Sequence, residues 1–575
     1  MGTGMNPTSL ANPTLPQAPG EELRRLVASL LVVRCSGYLS DPQRHYPRWE
    51  LDNATLQRLL AAGVGGVILL GGSAAEVRLR TRQLAAWAST DLLLCADVEE
   101  GVGQRFEGAS WLVPPLALGR LHAEDPAAAV ALAERYGRCT GREARALGLN
   151  WVLGPVCDVN NNPANPVINV RAWAEEPGPA GALASAFLRG AQAEGVLCCA
   201  KHFPGHGDTS TDSHLELPVL PHSRERLEAV ELPPFREAIA AGVASVMTAH
   251  LLLPALDPLH PATLSPAVLT GLLRRDLAFE GLVVTDALVM EAIAARHGAG
   301  EAAVLALEAG ADLVLMPADA DAALEAIVAA VETGRLPRQR LQASAERRQR
   351  ALAQTKASEP TAPITIAAAE PLGALSNGPL PEDRDLALEL VDRSLRHQEG
   401  RLVPPAAGGI NLVRLDGALG CAFLPAGAPS LAWTTAAGLR TLLLDGTSPS
   451  PWQTTSGPAA GDGPLDLERL GQGPVLLQLF VRGNPFRGSA GGQEPWPAVI
   501  SQLQAAGRLA GLAVYGSPYL WESLRPLLAE GIPAAWSPGQ MPLAQARVLA
   551  TLGLEPAAAA LPPITSGAAP PEFTD

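Results

Sequence analysis

The chain has 575 residues, of which 47% are hydrophobic and 18% charged. That is too apolar for a generally disordered chain and long enough for more than one buried core. Asp and Glu outnumber Lys and Arg by 58 to 43, a formal charge of −15, and a surface of that sign repels phosphate backbones and argues against nucleic acid as a partner.

Residues 1–22 are polar and rich in Pro, Thr and Asn. They read as a flexible N-terminal tail without the basic-then-apolar pattern of a secretory signal. From 23 to 355, short apolar runs alternate with amphipathic stretches. The runs at 26–33, 65–70, 92–97, 150–156, 196–201, 244–250, 282–286 and 312–316 predict eight strands. Stretches such as 53–62, 74–88, 126–147 and 179–194 carry apolar residues at three- and four-residue spacing and predict helices. Apolar strands alternating with amphipathic helices indicate a parallel sheet covered on both faces. Eight such units suit a (β/α)8 TIM-type barrel, with an open doubly wound sheet as the alternative.

Residues 356–381 are dominated by Pro, Ser, Gly and Ala and read as a linker. A smaller three-layer α/β sandwich domain is expected over 382–554. It has a helix at 383–397, strands at 410–413, 441–444, 475–480, 512–515 and 534–537, and helices at 498–509, 520–529 and 544–551. Residues 555–575 read as a C-terminal tail. Seven cysteines without a C-x-x-C spacing read as reduced, buried thiols. No apolar run reaches the ~18–20 residues of a membrane span, so a cytoplasmic protein with no membrane partner is expected. The oligomeric state is not legible.

Active sites of barrels of this kind lie where strands end and loops begin. Asp97, Lys201, His202, His250 and Asp286 each close an apolar run. The densest polar segment follows the fifth run, KHFPGHGDTSTDSHLELP at 201–218. His202 and His206 are four apart, but Pro204 and Gly205 between them defeat the helical geometry of a HExxH metal site; no metal and no cofactor is expected. Asp212 and His214 flank Ser213, so in an extended segment both side chains leave the same face. A carboxylate beside an imidazole stabilises its protonated form, which makes a proton donor near neutral pH. Asp286, in GLVVTDALVM at 281–290, reads either as a helix N-cap or as a carboxylate able to attack an anomeric carbon.

These segments, with MTAHLLLPALD at 247–257, PATLS at 261–265, LRRDLAFEGLVVTDALVM at 273–290 and GADLVLMP at 310–317, resemble glycoside hydrolase family 3. Within it they are similar to bacterial β-N-acetylglucosaminidases acting on muropeptides and related sugars. The resemblance implies a retaining, two-step mechanism on a small carbohydrate substrate, with a role in peptidoglycan recycling. Asp286 matches the nucleophile, His214 the acid/base on its loop, and Asp212 the partner of His214. Asp97, Arg105, Arg171, Lys201 and His202 match positions that grip the sugar. The family pattern D-x-E-G-G-x-V-x-R reads here Asp97-Val98-Glu99-Glu100-Gly101-Val102-Gly103-Gln104-Arg105, with Glu100 in place of a glycine and Gly103 in place of the usual valine. Three other readings compete. One is a β-glucosidase or glycoside phosphorylase using the same site, another a non-catalytic sugar-binding protein, and the third a metal-dependent hydrolase. The second domain could cap the barrel mouth, mediate dimerisation or stabilise the chain.

Overall fold

The structure is a computed structural model and describes residues 19–210, 217–357, 378–403, 408–417, 421–448, 450–452, 466–482 and 494–555. Eight strands build the first sheet: β1 Leu31–Ser36, β2 Gly66–Leu70, β3 Leu93–Ala96, β4 Trp151–Val152, β5 Leu197–Phe203, β6 Ser245–Thr248, β7 Leu282–Val284 and β8 Val314–Leu315. They are all parallel, in the order β7-β6-β5-β4-β3-β2-β1-β8. A parallel bridge from Val284 to Leu313 joins the two edges, and the ring is the expected barrel. The strands are short because parallel strands buried on both faces carry only side chains that fit between helices and barrel interior. β4 is the shortest of the early strands: its regular ladder ends at Val152, and past Pro155, which has no N–H to give, pairing with β5 resumes as a bridge from Val156 to Lys201.

Helices cover the outside, and their starts are written locally. Asp52 accepts from Thr55 N at 2.8 Å and caps Asn53–Ala61. Ser73 and Glu76 form a reciprocal capping box on Ala74–Trp87. Asp125 caps Pro126–Ala146, where proline occupies a first-turn position that needs no N–H. The opening of the chain differs from expectation. A helix, Pro19–Ala28, begins within the segment read as tail and takes Leu26 to Ala28 from the first predicted strand. Its apolar residues Leu23 and Val27 are buried against the barrel, so apolarity there marks a helix face rather than a strand.

The second sheet contains β9 Arg396–Gln398, β10 Gly409–Leu415, β11 Leu439–Leu444, β12 Val475–Val481, β13 Leu509–Gly516 and β14 Ala534–Ser537. Its order is β11-β10-β12-β13-β14-β9, parallel except for the antiparallel edge β9. Separate apolar clusters lie on its two faces, which makes the layered α/β sandwich. The entry helix ends at Ser394 rather than 397, and the last predicted residues form β9. Likewise Pro526 shortens the helix expected at 520–529 to Pro518–Leu524 with a 3-10 turn after it. All seven cysteines are unpaired, six of them buried and Cys421 half-buried.

The second domain docks against the barrel between β3 and β5. Arg142 pairs with Asp383, Arg135 with Glu389 at 2.7 Å, and Arg120 with Glu522 at 2.7 Å. Tyr519 bridges loops of the barrel mouth, donating to Glu175 at 2.8 Å and accepting from Asn160 at 2.7 Å. At this junction Glu143, 8% exposed, accepts from Ser110 N and Oγ at 2.9 and 2.7 Å. Burial pushes its carboxyl up to about 7. A carboxyl raised on folding favours the folded chain below its unfolded value, and that contribution is lost as pH rises through the folded one. Stability should therefore fall by about 3 kcal/mol between roughly pH 4.5 and 7.5 through this group. Glu143→Gln should flatten that slope in urea titrations; equal slopes in the two proteins would show that Glu143 titrates like an exposed carboxyl. Cys139, Glu143 and Asp383 bring donor atoms within 4.8 Å of one another, but Ser110 and Arg142 already occupy the two carboxylates.

Candidate active site

The residues expected to grip a sugar form one continuous polar chain across the C-terminal ends of β3, β4 and β5. Arg105 Nε donates to the Asp97 carbonyl at 2.9 Å. Lys201 Nζ, on β5, lies 2.7 Å from Asp97 Oδ1 and 2.6 Å from Glu99 Oε1. Glu99 accepts a two-pronged contact from Arg171, Nε at 2.8 Å and Nη2 at 2.9 Å. Arg171 Nη2 in turn stands 3.5 Å from His202 Nε2. The other ring nitrogen of His202, Nδ1, meets Asp158 Oδ2 at 2.7 Å. Asp158 also accepts the backbone N–H groups of His202 and His206, the latter at 2.7 Å. All five sequence-predicted binding residues are therefore brought together.

Burial opposes the charges of Glu99, Lys201 and Asp158, and the neighbours decide the outcome. Glu99 is penalised by desolvation, yet Arg171 and Lys201 hold it well below the usual carboxylate range. Lys201 is likewise buried, and Asp97 and Glu99 keep it above its ordinary value. Asp158, fully buried, is held down by His202 and His206. His206 goes the other way: burial pushes it down to about 4 against the pull of Asp158, so it is a neutral ring, hydrogen-bonded to Thr209 Oγ1 at 2.8 Å. Asp97 stays about one-third exposed, leaving a polar edge for a ligand.

Asp286 lies two residues past β7, at the same end of the barrel, and its charge is felt by His206 and Cys199. A second network fixes its turn. The Asp286 N–H donates to Thr248 Oγ1 at 3.3 Å, and Asp286 Oδ1 accepts from Ala287 N at 2.7 Å. His250 spans from Thr263 Oγ1 at 2.8 Å to the Ala287 carbonyl at 3.0 Å. His250, which closes its strand in the sequence, thus supports the turn. Asp212 and His214 lie outside the described residues. The chain on either side of them is held at both ends: Asn165 Nδ2 donates to the His206 and Gly207 carbonyls, and Leu220 and Pro218 exchange backbone hydrogen bonds with Leu252 beyond β6. A cavity of about 200 Å³ opens beside β1 and β8, lined by Arg34, Trp49, Met316 and Asp319 among others. Its wall includes none of Asp97, Lys201 and Asp286.

Sequence reasoning passed over Asp158 and Glu99. Glu99 stood inside the quoted loop motif, and Asp158 follows the fourth apolar run at 150–156 by two residues; both signals were there.

Residues 23–351 match the glycosyl hydrolase family 3 N-terminal domain, and residues 404–553 the bacterial glycosyl hydrolase family 3 C-terminal domain. The chain belongs to glycosyl hydrolase family 3. A beta-hexosaminidase of Stenotrophomonas maltophilia (strain K279a) is 39% identical over 273 residues, 46% of this chain and 80% of that protein. Beta-hexosaminidase A of Pseudoalteromonas piscicida is 35% identical over 304 residues, 49% of each. A family 3 beta-N-acetylglucosaminidase structure from Paenibacillus sp. str. FPU-7 matches with a TM-score of 0.72 and 31% identity, covering 92% of this chain and 97% of that one. The beta-glucoside phosphorylase BglX, at 20% identity and a TM-score of 0.71 over 92% of each chain, shares the fold alone. As a family 3 member the chain is a glycosidase. Among the described residues no helix is long and apolar enough to cross a membrane.

Proposed function

We propose that this family 3 glycosidase removes terminal β-linked N-acetylhexosamine, N-acetylglucosamine first, by a retaining two-step mechanism. The observation that carries the reading is the Asp97–Lys201–Glu99–Arg171–His202 array, which lies at the same end of the parallel barrel as Asp286. In this reading a sugar hydroxyl sits on Asp97, and Arg171, whose fork is taken up by Glu99 and the Val167 carbonyl, fixes the array beside it. Asp286 attacks the anomeric carbon and the aglycone oxygen leaves with a proton from His214, which Asp212 orients. Water then attacks the glycosyl-Asp286 ester as His214 takes its proton, and Asp286 is freed. An imidazole thus fills the role that a second carboxyl fills in most glycosidases. Support comes from the hexosaminidase relatives and the 31% identical acetylglucosaminidase structure. Muropeptide fragments are the substrate class in line with the motif resemblance.

A second reading rests on His214 itself. After donating its proton an imidazole is neutral where a carboxyl would be an anion, so phosphate as acceptor is repelled less. One experiment separates the two. Aryl β-glycosides of N-acetylglucosamine and glucose are turned over with and without phosphate, and the product anomer is followed by NMR. The expected result is first-formed β-N-acetylglucosamine, at least about tenfold preferred over glucose, a discrimination of some 1–3 kcal/mol. Release of the α-anomer would overturn the retaining scheme. A glycosyl phosphate as main product would replace hydrolysis by phosphorolysis.

A further inference from the structure

Of the two departures from the family pattern in the Asp97–Arg105 loop, Glu100 meets the second domain and Gly103 packs beside it within the loop. Glu100 is 1% exposed. Its carboxylate is held by Arg482, Nη1 lying 3.1 Å from Oε2 and Nη2 against Oε1. The Trp111 indole N–H donates to the same Oε2 at 3.1 Å. Arg482 follows directly on β12 of the second domain and is 382 residues from Glu100. Gly103 makes room for Trp111: a Cβ there would stand 2.3 Å from the Ala109 carbonyl oxygen and 2.7 Å from Trp111 N. Instead Gly103 N donates to the Ser110 carbonyl at 2.7 Å, and Leu112 N to the Glu100 carbonyl at 2.8 Å. One departure supplies the carboxylate; the other lets its indole partner approach. The next residue back along the chain, Glu99, is the one that receives both Lys201 and Arg171.

We propose that Glu100 and Arg482 form an interdomain clamp through which the second domain positions the Asp97–Arg105 loop for substrate. Both are positioning residues, acting through Glu99, and the proposal rests on the reading of that loop as sugar-binding. A buried carboxylate that loses its cation must take up a proton or turn towards water. Either change shifts the peptide shared with Glu99 and so the lysine and arginine it holds. Misplacement of about 1 Å is enough to cost on the order of 100-fold.

The test uses the full chain carrying Arg482→Met, Arg482→Lys, Glu100→Gln, or Glu100→Gln together with Arg482→Met. Turnover of an aryl β-N-acetylglucosaminide is measured beside hydrogen exchange of the amides from 98 to 112, with the strands of both domains as internal controls. Arg482→Met should lower kcat/KM about 100-fold. The loss should fall on KM more than on kcat, because the Asp286 turn is held by a separate network. Exchange should rise at 98–112 and not in the strands. Arg482→Lys should lie between. The double variant, which removes the stranded charge, should recover about tenfold over Arg482→Met, an outcome that a merely structural role for Arg482 would not produce. Unchanged KM and exchange in Arg482→Met, or a double variant no better than the single one, would overturn the clamp. If the wild-type chain turns over no hexosaminide, the sugar-binding reading fails, and the exchange pattern still decides the clamp.

Discussion

Asp286→Ala should reduce turnover of aryl β-N-acetylglucosaminides on the order of 10⁵-fold, with KM little changed. Asp286 sits past the apolar β7 where its backbone is pinned to Thr248 and its Oδ1 to Ala287, so one carboxylate oxygen is committed and the group has a defined direction. In the proposed reading the sugar is held by residues of other strands, so truncation removes the attack and leaves the grip. Alanine also vacates space. Added azide should then enter from the same face and restore part of the rate, giving the α-glycosyl azide by a single displacement. Rescue that yields the β-azide, or an alanine variant retaining more than about a tenth of the wild-type rate, would remove Asp286 from the nucleophile's role.

His214→Ala should act unevenly across leaving groups. Proton donation contributes about 10²–10⁴-fold where the departing oxygen is basic. An alkyl or saccharide aglycone should therefore slow by about 10³-fold in kcat/KM. A dinitrophenyl aglycone leaves without a proton and should lose less than about tenfold in kcat/KM. Its kcat should still fall, because water attacking the glycosyl-enzyme then lacks a base. A uniform loss across the series would mean that His214 binds sugar rather than moving a proton. Asp212→Asn should show the same uneven pattern in milder form, since it acts through the ring.

Much of this site was legible because it is local. Asp97, Lys201, His202 and Asp286 stand near or just past the end of an apolar strand, and strand ends of one barrel face converge whatever the helices between them do. The boundaries that failed are those where tertiary packing outweighs local pattern: Leu26 to Ala28 read as strand because they are apolar, and are a helix face because the barrel lies on one side of them only. β9 was hidden because an exposed three-residue edge has almost no alternation to show. The Glu100–Arg482 pair was out of reach for a different reason. No spacing in the chain announces a contact between two domains, and Glu100 by itself looked like an anomaly in a loop.

Within this part of the site each of Asp97, Glu99 and Glu100 lies against a cation, Lys201, Arg171 or Arg482. Such a floor has direction at each atom but almost no monopole. Under the proposed reading an uncharged sugar would meet short-range dipoles that added salt hardly weakens, since counterions respond to net potential over a Debye length of about 10 Å rather than to alternating neighbours. The chain's net negative charge and this candidate site are in this sense electrically separate.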